Sequence, residues 1–180
     1  MRSVTTTITA ITFLGLLSST AITGRAATAG GAAGEGALQP LGFLVGHCWS
    51  GKFPDGKATD THCFESVYGG RFIRDRHVVR GERPDYSGES MYWHDGRTGK
   101  VSYIYFNSDG GVSTGMLAEQ GMRLQFGDEV YTAPDGKVTK YRTVWDRKGS
   151  DGYVAITEQQ KDDEWVEAWR VEFAKQAAGG

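Results

Sequence analysis

The stretch that decides the fold is VTKYRTVWDRKGSDGYVAITEQQKDDEWVEAWRVEF, residues 138–173. Three runs rich in Val, Thr, Tyr, Trp and Ile (138–147, 153–160 and 165–173) are separated only by short polar connections. These residue types fit a pleated, half-buried surface, and the runs have strand length. None shows the strong 3.6-residue period of an amphipathic helix.

Working outward, the same texture recurs at 49–53, 59–68, 72–80, 86–93, 101–107, 112–119 and 122–126, which makes ten predicted strands. Five Asp-Gly pairs punctuate them: Asp55-Gly56, Asp95-Gly96, Asp109-Gly110, Asp135-Gly136 and Asp151-Gly152. Asp-Gly accepts the positive φ of tight hairpins and is a strong local hairpin signal. Gly69-Gly70 and Gly127-Asp128 read as two further breaks. The only helical expectation is a short turn around 41–45. The predicted fold is therefore all-β, an antiparallel up-and-down barrel of about eight to ten strands, closed because closure removes sheet edges.

The faces of these strands are not cleanly divided into apolar and polar. Phe72, Arg74, Arg76 and Val78 share one face, and Ile73, Asp75, His77 and Val79 the other. Trp165, Glu167, Trp169, Val171 and Phe173 fall together on a third strand. A barrel enclosing a cavity with some buried polar groups accounts for this mixture, as do ordinary surface aromatics.

Composition sets further bounds. Gly supplies 26 of the 180 residues and the formal net charge is −2. No basic stripe is present, so nucleic acid is not expected as a partner. Arg2 opens an uncharged run whose apolar centre is Ile11 to Leu17, followed by small residues, the pattern of a secretory signal over 1–29. Residues 30–40 are Gly/Ala-rich and read as a flexible lead-in. The barrel is assigned to 41–174, and 175–180 to a disordered tail. The protein is expected to be exported, periplasmic or secreted, not membrane-integral, and monomeric or a homodimer.

Cys48 and Cys63 are the only cysteines. In an exported chain they form a disulfide by default, and a hairpin centred on Asp55-Gly56 sets them directly opposite each other. Strict counting from a two-residue turn puts them at a hydrogen-bonded pair, where the Cα atoms are wider apart. Pro54, lacking an N–H, is placed to shift that register. The repeated dipeptides His47-Cys48 and His62-Cys63 invite a four-ligand metal reading. Side-chain alternation puts both cysteines on one face and both histidines on the other, so a regular hairpin cannot gather all four. No metal is expected.

No nucleophile elbow, zincin motif or phosphate-cradling Gly loop appears. His77 shares a face with Asp75 and forms a candidate base and orienter, with Glu158 as a further catalytic candidate; His94, before a turn, is expected to be exposed. Arg142, Arg170, Trp145, Trp169, Tyr103 and Tyr105 are the ligand-binding candidates. Arginines facing inward would fix a carboxylate or hydroxyl of an otherwise apolar ligand. Solvated cross-strand ion pairs are the other reading of Arg142, Glu158 and Arg170.

The segment Leu44-Val45-Gly46-His47-Cys48-Trp49-Ser50-Gly51, with Gly69-Gly70-Arg71-Phe72, Tyr86-Ser87-Gly88, Tyr92, Asp95 and Thr98-Gly99-Lys100, resembles the bacterial domain of unknown function 1579. That family looks related to the calycin-like barrels, the lipocalins and fatty-acid-binding proteins. The resemblance implies a barrel with one apolar ligand cavity. Nitrobindin-like haem barrels are similar in architecture but use a late histidine as iron ligand. The last histidine here, His94, precedes the final four strands, and no cofactor is expected. The leading functional expectation is an exported barrel holding a small hydrophobic or amphipathic molecule. The alternatives are a cavity enzyme of cyclase, isomerase or hydratase type and a ligand-free structural or interaction protein.

Overall fold

The computed structural model describes residues 36–81 and 84–177. The signal segment at 1–29, the first part of the lead-in and the last three residues of the tail lie outside them. Ten antiparallel strands follow one another: β1 Cys48–Lys52, β2 Ala58–Val67, β3 Phe72–Gly81, β4 Tyr86–Asp95, β5 Lys100–Asn107, β6 Val112–Gln120, β7 Arg123–Thr132, β8 Val138–Lys148, β9 Gly152–Lys161 and β10 Glu164–Lys175. Each pairs with its sequence neighbour, and β1 closes the barrel on β10. The expected all-β up-and-down barrel is thus the observed one. Among the described residues no helix is long and apolar enough to cross a membrane.

Three of the Asp-Gly pairs place their glycine at positive φ, Gly56 at 71°, Gly110 at 86° and Gly136 at 83°. The connection from β9 to β10 reaches the same region without glycine, at Asp162 and Asp163.

Two bulges correct the expected strand faces. Gly127-Asp128 is not a break but part of a one-residue bulge inside β7, where the register shifts between Phe126 and Val130 against β6 and between Phe126 and Glu129 against β8. A bulge re-aims the side chains beyond it; Phe126, Glu129 and Tyr131 all reach the interior. In β10 the register shifts between Glu167 and Trp169. Trp169, Val171 and Phe173 face inward, whereas Trp165 lies outside, beneath the Arg142 guanidinium at 4.6 Å.

The N-terminal helical turn is a 3-10 turn at Gln39–Leu41, slightly earlier than expected. It carries Leu38, Leu41 and Leu44 into a core with Trp49, Tyr153 and Phe173. The Trp49 indole N–H donates to the Leu44 carbonyl at 3.2 Å, so the ring is satisfied as well as buried. Leu38 lies within the stretch read as flexible lead-in, yet it is buried. Fully burying each leucine is worth about 1.5–3 kcal/mol. This segment plugs one end of the barrel.

The disulfide joins Cys48 to Cys63, which are register partners of β1 and β2. The hairpin closes through Phe53 N–H on the Ala58 carbonyl, so the loop holds four residues rather than two. That change moves the cysteines to a non-hydrogen-bonded pair with Cα atoms 4.1 Å apart, the closer of the two antiparallel spacings.

Candidate functional site

With one end plugged, the barrel keeps a cavity of about 1230 Å³ that opens between the hairpin turns at the other. Phe53, Asp55, Lys57, Asp85 and Asp109 stand around this mouth. Deeper in, the wall is mostly rings, including Tyr103, Tyr105, Phe126, Tyr141, Trp145 and Trp169. Phe126 and Trp145 pack with centroids 4.6 Å apart, and Tyr141 meets Trp169 at 5.7 Å.

A polar column crosses this wall. Because side chains alternate along a strand, β2 sends Asp60 and His62 inward and β3 sends Asp75 and His77. His62 and His77 are direct cross-strand partners, with ring centroids 4.7 Å apart. His62 Nδ1 lies 2.9 Å from Asp75 Oδ2 and its Nε2 lies 3.1 Å from Asp60 Oδ2. Carboxylates only accept, so both nitrogens donate and the ring is cationic. Burial opposes this charge, but the attraction of Asp75 and Asp60 and their hydrogen bonds outweigh it and raise the His62 pKa to about 10. Burial pushes the Asp60 carboxyl upward, and the pull of the two histidines overcomes it, leaving the pKa below the usual carboxylate range.

The column continues toward the mouth. His77 Nδ1 lies 3.1 Å from Asp60 Oδ1, and its Nε2 lies 3.1 Å from the Tyr105 hydroxyl. Tyr105 and Tyr86 share a hydrogen bond of 2.6 Å. Burial, reinforced by that bond, raises the Tyr105 phenol pKa. A second polar group sits on the β7 bulge, where Glu129 accepts from Tyr103 Oη at 3.0 Å and from Ser113 Oγ at 2.5 Å.

Asp75 and His77 share the interior, but Asp75 pairs with His62 and His77 with Asp60. Tyr103, Tyr105, Trp145 and Trp169 line the cavity. Arg142, Arg170 and Glu158 do not: Arg142 pairs with Glu158, and Arg170 with Glu167, on the outer surface. Besides the two histidines, Lys57 at the mouth is the only basic side chain among the described lining residues. Among the described lining residues there is thus no arginine to meet a ligand carboxylate. His94, expected to be exposed, is half-buried.

Asp60 and Glu129 carry no mark in the sequence reading, and His62 entered it only as a ligand of the rejected His-Cys metal site. The available signal was a repeated Asp-x-His, Asp60-Thr61-His62 and Asp75-Arg76-His77, on neighbouring strands.

No protein-family model and no curated protein matches this chain. Among solved structures, it is similar to Rv2717c from M. tuberculosis, with a TM-score of 0.54 and 15% identity over 78% of this chain and 98% of that one. At that identity the likeness concerns the barrel, which is compatible with the calycin-like resemblance.

Proposed function

We propose that this protein is an exported barrel that holds one small amphipathic molecule in its interior. The observation that carries the reading is the cavity of about 1230 Å³, open at one end and closed at the other. It exceeds the usual range for small-molecule sites and is lined as they are, by rings with a few placed polar groups. A solid-core structural protein would fill this space. The wall carries carboxylates and hydroxyls, so the ligand is neutral or cationic with hydrogen-bond donors. The leader-like residues 1–29 and the disulfide support export.

A fluorescence titration with the neutral probe N-phenyl-1-naphthylamine tests the reading. One saturable site per chain is expected, with energy transfer from tryptophan. Absence of saturation would count against it. The Asp75–His62–Asp60–His77–Tyr105 column favours a second reading, a cavity enzyme in which His77 or Tyr105 moves a proton of the bound molecule. Turnover lost in Tyr105→Phe with binding retained would support that reading.

A further inference from the structure

We propose that Asp60, His62 and His77 form a binding site for a divalent transition-metal ion of the zinc type. One ligand atom from each, a carboxylate oxygen and two imidazole nitrogens, lies within 4.8 Å of the others. Two imidazoles and one carboxylate are the donor set of zinc sites that keep a position open. All three residues line the cavity, so the open position faces a bound molecule and gives it a Lewis acid to touch.

The surrounding shell has the form that metal sites require. A ligating histidine commonly donates its other ring N–H to a carboxylate or another acceptor, which fixes the ring and its tautomer. His62 ligates through Nε2 while Nδ1 is held by Asp75 at 2.9 Å. His77 ligates through Nδ1 while Nε2 is held by the Tyr105 hydroxyl at 3.1 Å. Both rings thus point the nitrogen nearer Asp60 toward the shared centre and anchor the other. Charge agrees once the ion displaces the proton on His62 Nε2: two carboxylates, two neutral imidazoles and one divalent ion then sum to zero inside a low-dielectric wall. The four-ligand His-Cys reading of the hairpin is a different site and remains excluded, because its cysteines are bonded to each other. The inference does not depend on an organic ligand, since the ion can bind with water in the open position.

The test is calorimetric titration of chelator-treated, disulfide-intact protein with Zn²⁺, repeated with Co²⁺ for its visible absorption. One ion per chain is expected. Tyr105→Phe, which removes only the acceptor behind His77, is expected to weaken binding about 10-fold. His77→Ala is expected to weaken it further, and His47→Ala, an exposed histidine, to leave it unchanged. Ring nitrogen NMR of the unmodified protein needs no variant: the His62 and His77 signals should move with added Zn²⁺ while His47 stays. No saturable binding, equal affinity in His77→Ala, or a shift confined to His47 would each overturn the assignment.

Discussion

His62 lies between two carboxylates, with Nδ1 2.9 Å from Asp75 and Nε2 3.1 Å from Asp60. A buried cation of this kind depends on both partners, and removing one leaves charge without compensation. Asp75→Ala, at a side chain 3% exposed, is expected to cost about 3–5 kcal/mol. Asp75→Asn, which keeps one acceptor, should cost less. Urea unfolding of chelator-treated protein reads both, and a loss under 1 kcal/mol would mean that the column is not a buried charge network.

Cys48 and Cys63 close a span of 15 residues. On the chain-entropy model, opening the bond by the Cys48→Ser/Cys63→Ser double change destabilises by about 3 kcal/mol. The cavity wall contains neither cysteine, so binding of the neutral probe should survive wherever the variant is folded. Equal unfolding midpoints for the two proteins would contradict the prediction.

Trp145 and Trp169 both line the cavity but differ in burial, at 7% and 41% exposed. Trp145→Ala removes a core ring and is expected to cost about 3–5 kcal/mol. Trp169→Ala should cost less than about 1 kcal/mol yet weaken probe binding several-fold, because its ring lines the cavity without being buried in the core. The pattern to look for is stability lost in one variant and affinity lost in the other.

Burial raises the phenol pKa values of Tyr92, Tyr103 and Tyr153, and for Tyr103 nearby Glu129 adds to the effect. A folded-state pKa above the unfolded value near 10 stabilises fully below that pH and is lost as pH rises past it. Alkaline titration followed by tyrosinate absorbance should show these three ionising only together with unfolding, seen by circular dichroism. Smooth ionisation of every tyrosine in the intact fold would contradict their placement.

The barrel was legible because its strands are runs of β-branched and aromatic residues between Asp-Gly turns, and local chemistry specifies both. The bulges were not. Gly127-Asp128 has the composition of a turn and serves as a bulge inside β7, which turns Glu129 inward. Ala168 carries no mark at all, so Trp165 and Trp169 looked like residues of one face. Tyr103, Tyr105, Trp145 and Trp169 reach the cavity by simple alternation. Arg142 and Glu158 could be placed only once β8 and β9 were in register, where they are direct partners. His62 is legible locally as half of a His-Cys pair, whereas its role in the column follows from the match of Asp60-Thr61-His62 to Asp75-Arg76-His77 in the next strand.

Native mass spectrometry of the protein purified from an exporting host tests the central claim most directly. The account predicts an added mass on the order of a few hundred daltons, that of a molecule suited to such a cavity, lost on denaturation. The denatured chain should lack the leader and be two hydrogens light. A bare chain in the native spectrum that also fails to bind the neutral probe to saturation would contradict a ligand-holding barrel.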